Sequence, residues 1–218
     1  MKYEWRKKEK ELYLAKNKPQ IINVPPFKYF SINGEGNPND PFFGQCIEAL
    51  YSLSYAIRMS YKNGYEPSGF YEYTVYPLEG IWDINKNAKE NYTGVIDKDS
   101  LVFNLMIRQP DFVTKAFANE AFERTMTKKP NELLKKVKFS EIKEGQCVQM
   151  MHLGSYANES ETFKLMENFC KENNLTRESK KHKEIYISDP RKVKPEKLKT
   201  VLRFKVKTYQ AVGRDSKG

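Results

Sequence analysis

Two glutamates stand where glutamate is out of place. Glu79 lies within Pro77-Leu-Glu-Gly-Ile-Trp82, and Glu184 opens Glu184-Ile-Tyr-Ile-Ser-Asp189, both apolar stretches with strand character. Glutamate is disfavoured in strands and costly to bury without a partner. Set in an aromatic cleft, it would attract a cation or, with a raised pKa, act as acid or base. The competing reading puts both on the solvent face of their strands, beside lysines. A third stretch, Met150-Met-His152-Leu-Gly-Ser-Tyr156, runs from a strand into a glycine turn. It places His152 and Tyr156 near the strand end, where side chains often line a cleft. A lone histidine is more often structural than reactive.

Aromatic side chains supply a matching surface. Residues 51–92 hold ten of them: Tyr51, Tyr55, Tyr61, Tyr65, Phe70, Tyr71, Tyr73, Tyr76, Trp82 and Tyr92. That density is well above the 13% of the whole chain. Tyrosine brings a flat apolar face and a hydroxyl, which suits aromatic or cationic ligands. Packing of a helix on a sheet accounts for such rings equally well.

Other chemistries fail on spacing. Gly34-x-Gly36 lacks the third glycine of a dinucleotide loop. Asp83-x-Asn85-x-Asn87 starts like a calcium loop, but Ala88 and Gly94 stand where the turn glycine and bidentate glutamate belong. No His/Cys pair has zinc spacing, and no G-x-S-x-G elbow occurs. Ser155 and His152 are too close along the chain to suggest a triad. The expectation is therefore a site with no metal and no cofactor.

The elements that would position these residues follow from periodicity. Strands are predicted over 20–33, broken at Pro25-Pro26, and over 72–76, 77–83, 101–108, 147–152, 183–187 and 201–206. Helices are predicted over 42–62, 110–127 and 159–172, with a short one at 132–136 inside a polar connection. Strand, helix, strand, strand occurs twice, around a linking helix. Two such units related by a pseudo-twofold axis would leave a cleft between them, a common place for ligands. The fold class is α+β with duplicated strand-helix-strand-strand modules.

Bulk properties narrow the function classes. At 218 residues with 39% hydrophobic and 30% charged side chains, the chain reads as globular. No apolar run nears the roughly 20 residues of a membrane span. The first residues lack the apolar stretch of a signal peptide. With Cys46, Cys147 and Cys170 widely spaced, free buried thiols and a cytoplasmic setting are expected. The net charge of +10 invites a nucleic-acid reading, but its distribution argues against one. Residues 1–18 carry +4 and residues 177–218 carry +9, while 19–176 carry −3. Charge gathered at chain ends, with no nucleic-acid-binding motif, reads as a solvated surface.

Four stretches, in order, resemble the GyrI-like small-molecule-binding domains: Tyr76-Pro-Leu-Glu-Gly-Ile-Trp82, His152-Leu-Gly-Ser-Tyr156, Glu184-Ile-Tyr-Ile-Ser-Asp-Pro190 and Leu198-Lys-Thr-Val-Leu-Arg-Phe-Lys-Val206. The resemblance covers about 19–207. It implies two such modules around a ligand cleft, module one at about 19–109 and module two at about 145–207 with a linker helix at about 110–127, beside the charged arm that 1–18 reads as and a loose tail over 208–218. It also implies that a glutamate on the strand of Glu184 meets cationic or polar aromatic ligands. The first stretch resembles the free-standing members, one branch of which is similar to cyclopropanoid cyclopropyl hydrolases. These open the strained cyclopropane of DNA-alkylating natural products. On that resemblance Glu184 is the base and Tyr156 or Tyr186 the hydrogen-bond donor. Glu79 supports the site, Trp82 and Tyr55 stack on the ligand, and Tyr51 and His152 complete its lining. A non-catalytic binder of aromatic compounds and a basic interaction protein of a DNA-associated partner stay open beside the hydrolase.

Overall fold

The structure, a computed structural model, describes residues 2–208. Most of the expected C-terminal tail, 209–218, lies outside the described residues. Among the described residues, nine strands form one sheet in which neighbouring strands pair antiparallel. They are β1 (Gln20–Val24), β2 (Phe27–Glu35), β3 (Leu78–Ile84), β4 (Leu101–Gln109), β5 (Lys138–Ile142), β6 (Gly145–Leu153), β7 (Leu175–Arg177), β8 (His182–Tyr186) and β9 (Lys199–Thr208). The helices are α1 (Trp5–Lys8), α2 (Lys10–Tyr13), α3 (Pro41–Arg58), α4 (Lys86–Glu90), α5 (Lys115–Lys128) and α6 (Glu159–Glu172).

The spatial order β1-β6-β9-β8-β3-β4-β2-β5 displays the duplication. One unit is β2-α3-β3-β4 and the other is β6-α6-β8-β9. Each places its second strand at the seam, so β3 and β8 pair across the middle with Gly80 opposite Glu184 and Trp82 opposite His182. β1 extends the second unit and β5 extends the first.

Strand alternation sorts side chains to two faces. Gly80, Trp82, His182, Glu184 and Tyr186 share one face. There α3 packs on β2 and β4, with Phe43 against Trp82 and Phe103. On the same face Met166 and Cys170 of α6 join Val148, Met150, Leu202 and Phe204. The seam therefore runs between the two helices. Glu79, Lys183 and Arg203 point to the other face.

The first residues cover that other face. Within 1–18, expected as a solvated arm, Trp5 and Tyr13 are buried. Glu9 pairs with Arg108, and the carbonyls of Glu11 and Leu12 accept from Gln149 and Arg203. Buried sheet arginines need such acceptors, and charge counting alone does not find them.

Other elements differ from the sequence-based expectation. Residues 72–76 form no strand, only a bridge between Tyr73 and Tyr3. Both Tyr73 and Tyr76 are buried, which period-two alternation cannot achieve at that spacing. α5 starts at Lys115 rather than after Pro110, because the Thr114 hydroxyl caps it by accepting from the Phe117 N–H at 3.1 Å. The polar connection hides the edge strand β5, and β7 was not anticipated. The polar turn after Lys86 contains α4.

Candidate active site at the strand seam

β8 contributes most of the site. Its alternation sends His182, Glu184 and Tyr186 to the helix side and Lys183 and Ile185 to the other. Glu184 is 8% exposed, and its Oε1 lies 3.1 Å from His182 Nε2. The His182 ring meets Phe163 of α6 edge-on at 4.7 Å between centroids.

β3 supplies the floor. Trp82 Nε1 donates to the Tyr186 hydroxyl at 2.8 Å. Gly80 makes this possible. A Cβ there would lie 2.9 Å from Trp82 Nε1 and 3.4 Å from the Tyr186 oxygen. Burial, reinforced by the charge of Glu184 and a hydrogen bond to it, pushes the Tyr186 phenol well above its ordinary pKa. Tyr186 therefore keeps its proton.

The turn after β6 adds the third side. Gly154 has φ +121°, a conformation that favours glycine, and a short turn at Tyr156–Asn158 follows it. The Tyr156 ring stands edge-on to Tyr186 at 6.1 Å and is 38% exposed. Burial, then the charges of Glu184, Glu159 and Asp189, pushes the Tyr156 phenol up to about 12. Glu159, the first residue of α6, follows at once. Burial, then the neighbouring Glu184 carboxylate, pushes its carboxyl up to about 9. Its Oε1 is shielded and has no hydrogen-bond partner among the described residues. A helix N-terminus favours the anion, but here desolvation and like charge outweigh it.

The structure thus brings Glu184, Tyr156, Tyr186 and Trp82 together. Trp82 differs in detail from a ligand-stacking wall: it is 5% exposed and packed against Phe43 and Phe103. Its working atom is the indole nitrogen. Tyr51 and Tyr55 lie on α3 with ring centroids 6.2 Å apart, Tyr51 partly buried and Tyr55 exposed. Burial, then the neighbouring Tyr55, pushes the Tyr51 phenol above its ordinary pKa.

Two residues are elsewhere. Glu79 lies on the opposite face, 1% exposed, and accepts from Lys183 Nζ at 2.8 Å. Lys183 also reaches Glu144 at 2.6 Å, and Arg203 stands 3.6 Å from Glu144. The single-residue offset between Glu79 and Gly80 puts the carboxylate behind the sheet. His152 is 3% exposed with both ring nitrogens engaged. Nε2 lies 2.9 Å from the Ser155 carbonyl and Nδ1 lies 2.9 Å from the Thr162 hydroxyl. The carbonyl can only accept, so Nε2 carries the proton and Nδ1 accepts from Thr162. His152 pins the turn to α6 and faces no ligand space.

Sequence reasoning overlooked Gly80, Glu159 and His182. His182-x-Glu184 was detectable, since residues two apart on a strand share a face. Gly80 was visible only as part of a motif, and Glu159 gave no local signal. Most of the aromatic run proves to be packing, as in Tyr61–Phe70, Phe70–Phe112 and Tyr73–Tyr76.

Residues 17–207 match the profile of the GyrI-like small molecule binding domain. Two solved Listeria innocua structures are each 35% identical to the chain. One is described as a hydrolase, covering 94% of this chain and 100% of its own at a TM-score of 0.85. The other, a hydrolase encoded by lin2189, covers 95% and 100% at 0.86. The EcmrR C-terminal domain, 12% identical with a TM-score of 0.51 and covering 88% and 98%, shares the fold. No curated protein matches the sequence. Among the described residues, no helix is long and apolar enough to cross a membrane.

Proposed function

Because the chain belongs to the GyrI-like small molecule binding domain family, we propose that the β3–β8 seam takes flat aromatic compounds and adds water to a strained, carbonyl-activated cyclopropane in them. The observation that carries this reading is the placement of one buried carboxylate, Glu184, beside two tyrosines that keep their protons. A base and neutral donors in one desolvated place are what ring opening by water requires.

Glu184 takes a proton from water as the water oxygen bonds to a ring carbon. The cyclopropane C–C bond breaks and its electron pair moves into the conjugated carbonyl, whose oxygen becomes an oxyanion. A tyrosine hydroxyl donates a hydrogen bond to that oxygen, and the proton held by Glu184 passes to it through solvent as the product forms, which restores the carboxylate. Tyr156 is the better donor. Tyr186 accepts from Trp82 and is buried beside Glu184, whereas the Tyr156 ring is partly open to solvent. Tyr51 and Tyr156 flank the flat substrate. Likeness along nearly the whole chain to two proteins described as hydrolases supports the reaction class.

Titration with lipophilic aromatic cations and with a cyclopropane-bearing alkylator tests the binding half. Saturable quenching of tryptophan emission, retained in a Trp5→Phe variant and weakened by Tyr156→Ala, is the expected result. Saturable binding with the alkylator recovered intact would favour a non-catalytic capture protein.

A further inference from the structure

Beyond water addition, and sharing Glu184 with it, the seam carries an arrangement of donors that points to a cation. We infer that Glu159, His182 and Glu184 form a binding site for a divalent transition metal of the zinc class.

One ligand atom from each residue can be chosen so that all three lie within 4.8 Å of one another. The best-defined edge, His182 Nε2 to Glu184 Oε1, is 3.1 Å. Ligands 2.0–2.1 Å from one tetrahedral ion stand roughly 3.3 Å apart, so this hydrogen-bonded edge already has about the separation a shared ion needs. One imidazole and two carboxylates form a mixed nitrogen and oxygen donor set suited to zinc, manganese or cobalt rather than calcium or magnesium.

The supports are rigid. Two ligands sit at alternate positions on one face of β8, and the third opens the 14-residue helix α6. Phe163 packs against the His182 ring. The second, independent observation is the Glu159 Oε1 atom, shielded from solvent yet without a hydrogen-bond donor among the described residues. A buried carboxylate oxygen normally has a partner. The nearest buried ammonium does not serve, because Lys183 points behind the sheet to Glu79 and Glu144. Three protein ligands would leave a coordination position for water or for a polar atom of a bound compound.

The test uses the full chain, freed of metal with a chelator and dialysed, at pH 7. Zn2+ is titrated calorimetrically, and Co2+ is followed by its visible absorption. The expected result is saturable one-to-one binding and a visible Co2+ band. Changes outside the first coordination shell already cost about 10–100-fold in affinity, so Glu159→Gln and His182→Ala should each lose at least about 100-fold. Glu196→Gln, at an exposed position, should lose nothing. Circular dichroism of the metal-free variants checks folding, and Glu184→Gln replaces any that fails. No saturable binding, or binding unchanged in these variants, would overturn the proposal and leave a carboxyl pair held by a proton. Neither result depends on turnover of any substrate.

Discussion

Gly80 lies directly opposite Glu184 across the β3–β8 pairing, and its missing side chain lets the Trp82 indole reach the Tyr186 hydroxyl. The base, the phenol beside it and the indole that holds the phenol are thus fixed by the pairing of two strands, one from each half of the molecule.

Gly80→Ala tests that floor. The added carbon would sit 2.9 Å from Trp82 Nε1 and 3.3 Å from Leu105 Cδ2, so the indole must move. Overpacking of this kind costs about 1–3 kcal/mol. Trp82→Phe removes the donor and one ring of a buried indole, and should cost about 2–4 kcal/mol. Urea unfolding reads both. If the seam positions the reacting groups, both variants also lose ligand affinity or turnover. Unaltered ligand handling in Gly80→Ala would detach the floor from function.

Glu159 makes stability depend on pH. Its folded-state pKa of about 9 stands above the ordinary 4.5 because of burial and the adjacent Glu184. Between those values the folded protein holds a proton that the unfolded chain has released. The contribution is therefore full below about pH 4.5 and is lost as pH rises towards 9. At 1.36 kcal/mol per pKa unit, the loss by pH 7 is on the order of 3 kcal/mol for the group alone. In chelator-containing buffer, Glu159→Gln should unfold at higher urea than wild type at pH 8 and at similar urea at pH 5. Parallel pH profiles for the two proteins would show that burial and Glu184 do not hold Glu159 protonated.

Behind the sheet, Lys183 bridges Glu79 and Glu144. Lys183→Met leaves the buried Glu79 without its cation and Glu144 with Arg203 alone, and should cost about 3–5 kcal/mol. Glu79→Gln keeps the shape and should cost about 1–3 kcal/mol. Its ligand affinity should match wild type, in contrast to Glu184→Gln. A ligand defect in Glu79→Gln without loss of stability would return Glu79 to the binding site.

His152→Ala should be a stability variant. It removes both the acceptor of the Thr162 hydroxyl and the donor to the Ser155 carbonyl. A buried hydroxyl left without its partner costs about 1–3 kcal/mol. Thermal unfolding should reveal the loss, with ligand affinity falling only as far as the Tyr156 turn loosens. Wild-type stability together with lost affinity would contradict a pinning role.

The duplicated order of strands and helices was legible because apolar strand runs and period-3.6 helix patterns survive in both halves, most clearly over Leu101–Gln109 and Glu159–Glu172. Glu184 was legible because an acid in a strand is anomalous. Glu79 shows the same anomaly with the opposite meaning, since only the register of β3 against β8 reveals which face each carboxylate takes. Glu159 and Gly80 gain their roles from pairings between distant segments, which no local pattern records. The charged first residues read as solvated because their acceptors, Glu9 and the carbonyls of Glu11 and Leu12, meet arginines and glutamine far along the chain.

The most direct test of the central claim is mass spectrometry of a cyclopropane-bearing, carbonyl-conjugated alkylator after incubation with wild type and with Glu184→Gln in 18O-labelled water. The prediction is a ring-opened product, one labelled water heavier, formed by wild type well above the buffer rate and by Glu184→Gln at or near that rate. Alkylator recovered unchanged from the wild-type incubation, or equal product from both proteins, would contradict water addition by Glu184.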